Sequence, residues 1–325
     1  VPPSHRRHLA LAALAAGLLA LAGPAAAERP PLRVILPVSA GSGVDTIVRA
    51  AAPALARALG DQAVIIENQP GAGGISGTAA LVKANPDGNT IAFVSNNHAV
   101  NASVYKKMPY DSLADITPIS VIGATPFVLV VNPTKLPAKN VAELVALLKA
   151  RPGGYNYASS GNGTIIHLAD EMFVDAAGVD AKHIPYKGVG PMLADLIGGQ
   201  VDFGVVALPA VQGHLKSGSL RAIGIMGKAR VPSLPELPTI AEQGLPEVDI
   251  AGWFAVIGPA KMPAAEVARL HDAVVAAFAA PEVREAMAKQ ENIVNPTTPE
   301  VAAKYFRTEQ ERYARLVKKA NISLD

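Results

Sequence analysis

The 325-residue chain has no cysteine, which excludes a disulfide framework, a cysteine-based metal site and a lipid-modified cysteine anchor. Its formal charge is +2, and loss of Arg6 and Arg7 with a leader would bring it near zero. Neither nucleic acid nor an anionic membrane surface is therefore an expected partner, since both call for a basic patch. Apolar residues make up 50% of the chain, enough for two cores, and the length beyond the leader exceeds the usual single domain.

Arg6 and Arg7 precede an apolar run over 9–21, and Pro24-Ala25-Ala26-Ala27 follows. A basic segment, a short apolar segment and small residues before a cut describe a secretory signal peptide. The run is short for a membrane span, which needs about 20 residues. The pattern predicts cleavage after Ala27, with the mature chain beginning at Glu28.

Strand and helix patterns then alternate. Residues 32–36 read as a strand, 44–59 as a helix, 64–66 as a strand, 75–83 as a helix and 90–94 as a strand. The turn Asn85-Pro86-Asp87-Gly88 separates the last two. This βαβαβ order predicts a parallel sheet with helices on its faces. After an apolar strand at 128–131 a second series follows. It has helices at 141–149 and 164–176, a strand at 183–185, a helix at 188–197 and strands at 201–205 and 220–225. A strand at 250–258 and helices at 264–278, 282–289 and 299–319 finish the chain. The apolar strands near Phe127 and Trp253 read as two crossings between domains, which would make a hinge. The expected domains are 28–127 with 253–325, and 128–252. Trp253 reads as hinge packing rather than as a substrate stacker.

Gly41-Ser42-Gly43-Val44-Asp45-Thr46 follows a strand and opens a helix. Free N–H groups and the positive end of the helix dipole favour an anion there, and glycine lets a ligand approach the backbone. Ser39, Gly41, Ser42, Gly43, Val44 and Asp45 are the candidate contacts, although a simple tight turn is the bland reading. The spacing is a partial dinucleotide fingerprint, with only Glu67 to serve as its ribose-binding acid. Asp45 is read first as loop support through Arg49, and second as a ligand contact.

Ser159-Ser160-Gly161-Asn162-Gly163-Thr164 repeats the logic before a later helix. Hydroxyls and backbone N–H groups bind carboxylate oxygens without a second ion that must be desolvated. Ser159, Ser160, Gly161, Asn162 and Thr164 are candidates, and His167 one turn on reads as pocket wall or plain packing. No carboxylate is evidently placed to orient His167, there is no G-x-S-x-G elbow, and no metal spacing occurs, so neither catalysis nor a cofactor is expected. Asp170 and Glu171 are adjacent on a helix and make a poor acid/base pair. Ser95-Asn96-Asn97-His98 follows the third strand, where open α/β sheets place ligands, and Asn96 is taken as a contact. Lys187, in Tyr186-Lys187-Gly188, is positioned either to neutralise a carboxylate or as an ordinary surface lysine.

On these residues the chain resembles the Bug family, the binding proteins of tripartite tricarboxylate transporters. The shared marks run in order from Pro37 to Asp45 and through Glu67-Asn68-Gln69-Pro70-Gly71-Ala72-Gly73-Gly74, Pro86-Asp87-Gly88 and Pro109-Tyr110-Asp111. They continue through 157–164 with His167-Leu168, Pro185-Tyr186-Lys187-Gly188, Gly198-Gly199-Gln200-Val201-Asp202, Pro238-Thr239-Ile240-Ala241-Glu242, Gly244-Leu245-Pro246 and Trp253-Phe254. The resemblance implies a two-domain α/β periplasmic-binding-protein fold (type II, a Venus flytrap with crossing hinge strands). It also implies a periplasmic location, a small organic carboxylate as ligand, membrane permease subunits as partners, and a monomer. A ligand-sensing input for a membrane kinase, or a nucleotide-using α/β enzyme, are the alternative functions. Val205-Val206-Ala207 stands where the family often has Phe-Asp-Asn, so Ala207 and its neighbours are expected to give the cleft an apolar wall. That favours an aliphatic or aromatic carboxylate over an amino acid, whose ammonium would lack an acceptor.

Overall fold

The computed structural model describes residues 29–319 and residue 322. The expected signal peptide and its cleavage after Ala27 lie outside the described residues.

The first strands form where β-branched and leucine residues alternate in facing. In β1 (Leu32–Leu36), Leu32, Val34 and Leu36 pack on one side of the sheet and Ile35 on the other. β1 pairs in parallel with β2 (Val64–Asn68) and β3 (Thr90–Ser95), as the βαβαβ reading requires. Two connecting helices, α1 (Gly43–Ala58) and α2 (Ile75–Val82), carry the crossovers. Helix α3 (Asn97–Val104) lies in a stretch to which the sequence pattern assigns no element. β4 (Ile116–Thr125) escapes the sequence reading because Pro118 and Gly123 interrupt its apolar pattern. Pro118 is tolerated because the outer neighbour of β4, β11 (Ile293–Val294), pairs only with Gly123 and Ala124, leaving the outer side of β4 open at the proline.

The chain enters a second sheet at β5 (Phe127–Val131), directly after Pro126. There follow α4 (Val141–Ala150), β6 (Asn156–Ser159), α5 (Ile165–Ala177), β7 (Lys182–Pro185), α6 (Val189–Ile197), β8 (Phe203–Ala207), α7 (Leu208–Ser217) and β9 (Arg221–Ile225). The expected strand at 201–205 thus lies two residues further on. β10 (Gly252–Pro259) rejoins the first sheet between β3 and β4, antiparallel to both. The first sheet has the order β11-β4-β10-β3-β1-β2 and the second β7-β6-β8-β5-β9. Both are mixed, so the parallel-sheet expectation holds for β1 to β3 and for β6 to β8, while the strands at the crossings run antiparallel.

The first sheet is covered on one face by α1, α8 (Ala264–Ala279) and α9 (Pro281–Lys289), through Ile47, Val48, Leu270 and Phe278. Its other face shares one continuous apolar core with the second sheet, running through Val128, Phe203, Trp253 and Phe306. The last helix, α10 (Pro299–Lys319), packs on α3 and β4 and reaches the second lobe, where Lys319 pairs with Asp175 at 2.6 Å. No helix among the described residues is long and apolar enough to cross a membrane.

Candidate functional site

The loop after β1 is built around a buried carboxylate. Ser42 caps α1, its hydroxyl accepting the Asp45 N–H at 3.3 Å, while Gly43 and Val44 form the first helical turn. The Asp45 side chain turns back and accepts from Gly41 N–H at 2.8 Å, Arg49 Nε at 3.0 Å and Asn68 Nδ2 at 2.9 Å. Gly41 adopts φ +77°, which the bend requires. Burial opposes ionisation of Asp45, but the bonds from Arg49, Gly41 and Asn68 outweigh it and hold the carboxyl below its usual range. Asp45 therefore carries the loop-support role given first in its sequence reading. Glu67, the residue a dinucleotide site would need, is held by two bonds from Arg33, at 3.0 and 2.9 Å.

The second loop, between β6 and α5, is held from below. Ser159 is fully buried, with Oγ 2.6 Å from His183 Nε2. Thr164 caps α5, accepting the His167 N–H at 3.3 Å and donating to Gly161 O at 2.9 Å. Ser160 donates to Thr164 Oγ1 at 3.1 Å, and Asn162 is exposed. His167 is buried, accepts from Gly163 N–H at 3.1 Å and stacks on His183 with ring centres 3.8 Å apart. Burial, with His167 alongside, pushes His183 down to about 4.

His167 does have an orienting carboxylate: Glu171 Oε1 lies 3.4 Å from its Nε2 and also accepts the Tyr157 hydroxyl. The i,i+4 spacing on one helix was the signal that could have revealed it. Asp170 points elsewhere, to Val205 N–H at 2.8 Å, so the two adjacent acids do not work together.

The loops of the two sheets approach one another. Asn97 Oδ1, at the start of α3, accepts the N–H of Ile165 at 2.9 Å. Ser39 faces Gly188, where a Cβ would lie 3.9 Å from its hydroxyl. A small cavity beneath the first loop is lined by Pro37, Gly74, Thr78, Ser95, Asn97 and His98. Burial pushes His98 down to about 4, and its Nε2–H donates to Ser112 O at 2.8 Å.

Three of the expected contacts are placed differently. The side chain of Asn96 is spent on Ala251 O, Tyr313 Oη and Trp253 N–H at 3.0, 2.6 and 2.7 Å, and it is Asn97 that reaches across to Ile165. Val205 and Val206 are fully buried between the strands and helices of the second lobe, so they form core rather than cleft wall. Only Ala207, at the end of β8 where α7 begins, is partly exposed. Lys187 is exposed on the loop before α6. Trp253 is buried against Tyr305 and Phe306, its indole N–H on Glu309 at 3.1 Å, so it serves packing at the return crossing.

Two mixed sheets with helices, linked where the chain passes from β4 to β5 and returns at β10, and each with a glycine loop ahead of a helix, define the class of periplasmic solute-binding proteins. The family model described as "Tripartite tricarboxylate transporter family receptor" matches residues 47–322. The protein BugT of Bordetella pertussis is 35% identical over 98% of both chains. The chain belongs to this TctC/Bug family of solute-binding proteins, as its sequence marks implied. Among solved structures, a Rhodopseudomonas palustris protein with adipate is 31% identical with a TM-score of 0.85, covering 90% of this chain and 98% of the other. MatC of Rhodopseudomonas palustris, with bound malate, is 27% identical with a TM-score of 0.82, covering 91% of this chain and all (100%) of the other.

Proposed function

We propose that this protein captures a small aliphatic dicarboxylate between its lobes and hands it to the membrane permease subunits of a tripartite transporter. The observation that carries the reading is the pair of glycine loops, one per lobe and each at a helix N-terminus, drawn together by the Asn97–Ile165 hydrogen bond. Residues 39–46 and 159–164 then grip the carboxylates through backbone N–H groups and hydroxyls. The domains of this reading are 28–127 with 253–325, and 128–252, turning about the crossings at Phe127 and Trp253. The chain works as a secreted monomer in the periplasm, freed from its signal peptide after Ala27, and it binds without chemical turnover.

Adipate and malate, bound by the two relatives, support this ligand class. An amino acid fits less well, because both Asp45 oxygens are already spent on Gly41, Arg49 and Asn68 and do not offer themselves to an ammonium. Thermal unfolding with adipate, malate, glutamate and aspartate tests this. A ligand at about 100 times its Kd stabilises by roughly 2.7 kcal/mol. Adipate or malate is expected to give the largest shift, and tighter binding of glutamate or aspartate would overturn the ligand class.

A further inference from the structure

The second loop is clamped at both ends by imidazoles that lie behind it. At its start, Ser159 Oγ lies 2.6 Å from His183 Nε2, and at its end Gly163 N–H points at His167 Nδ1 at 3.1 Å. A backbone N–H is only a donor, so His167 Nδ1 must be bare and its ring proton must sit on Nε2. That nitrogen faces Glu171 Oε1 at 3.4 Å, and the same oxygen accepts the Tyr157 hydroxyl. Tyr157 and Glu171 thus select the tautomer that leaves Nδ1 free to hold the loop. The His183 ring, stacked at 3.8 Å and 7° from parallel, covers one face of His167.

We propose that His167 is a positioning residue of the binding site. It acts through Gly163 on the loop rather than by touching the ligand, fixing the peptide plane that presents Asn162 and the adjoining Ser160 to the cleft. Glu171 and Tyr157 serve it by fixing its tautomer. This rests on the reading of residues 159–164 as a carboxylate-binding loop.

Two measurements separate the inference from that reading. Nitrogen NMR of the ligand-free protein at neutral pH is expected to show His167 protonated at Nε2 and bare at Nδ1, with the Gly163 amide protected from exchange. The opposite tautomer, or a doubly protonated ring, overturns the proposal whatever the ligand is. Calorimetry with adipate and malate then compares His167→Asn, whose short amide places an acceptor where Nδ1 lies, with His167→Phe, which keeps the stacked ring but has no acceptor. The Asn variant is expected to stay within about threefold of wild type, and the Phe variant to bind about tenfold or more weakly. A folded His167→Phe variant with wild-type affinity overturns the proposal, and if that variant fails to fold, the tautomer measurement decides. Failure of the wild type to bind either dicarboxylate defeats the carboxylate reading alone, leaving the tautomer measurement to judge His167.

Discussion

Asn97 Oδ1 and the Ile165 N–H stand 2.9 Å apart, joining the first helix turn of one lobe's cleft edge to that of the other. The Ile165 N–H is one of the donors that a helix leaves unpaired at its N-terminus, so the bond fills a need of α5 while tying it to α3. Asn97→Ala is expected to weaken dicarboxylate binding by about two- to tenfold, the worth of one neutral hydrogen bond. Asn97→Asp places a negative charge beside the bound anion and is expected to weaken it further. Titration calorimetry with adipate checks both, and unchanged affinity in Asn97→Ala would remove the residue from the closing contact.

Asp45 gives a prediction about stability rather than contact. Asp45→Ala strands Gly41 N–H and releases Arg49 and Asn68, and is expected to cost about 2 kcal/mol in urea unfolding. Because the folded carboxyl sits below its usual range, its contribution is fully present above the unfolded value of about 3.9. The contribution fades as pH falls through the lower folded value. A variant with wild-type stability but weakened binding would identify Asp45 as a direct ligand contact instead.

Asp170 behaves in the opposite sense. It is fully buried, Oδ1 accepts from Val205 N–H at 2.8 Å, and Oδ2 has no partner among the described residues. Burial, reinforced by the charge of Glu171, raises its carboxyl well above the usual range. The folded state therefore holds a proton that the unfolded state releases, and stability falls as pH rises from about 4 toward the raised value. Asp170→Asn keeps the Val205 acceptor and carries no charge. It is expected to unfold at a temperature equal to or above that of wild type at mildly alkaline pH, with a flatter pH dependence. A clear drop in melting temperature would show that the ionised carboxylate is needed.

The crossing itself is tightly packed at Gly252. A Cβ there would lie 2.9 Å from the ring of Phe127 and 3.1 Å from Thr125 O. Gly252→Ala is expected to lose about 1–3 kcal/mol through overpacking. The measurement is urea unfolding of the ligand-free variant, and an unchanged midpoint would mean that the crossing strands yield freely.

Much of this was legible in the sequence because it rests on local chemistry. The Asp45-Arg49 pairing was read from one helical turn, whereas the capping expected of Asp45 falls to Ser42, three residues earlier, and Thr164 caps the later helix. What stayed hidden depends on distant partners. Asn96 resembles any polar residue after a strand until Tyr313, more than two hundred positions on, takes up its amide. Val205 and Val206 read equally well as cleft wall or as core, since strand periodicity does not say which side of a sheet a helix will cover. Glu171 was within reach of a periodicity argument, but its significance rests on Tyr157 from a neighbouring strand.

The chain has a single tryptophan, and it is the one at the return crossing, with its indole N–H on Glu309 and Tyr305 and Phe306 against its edges. All three partners belong with Trp253 to 253–325, so tryptophan emission is an optical gauge of how the last helix packs beside the crossing strand, needing no label. The lack of any native thiol adds a second gauge: two introduced cysteines, one at each lip of the cleft, would be the only sites for dyes that report the distance between them.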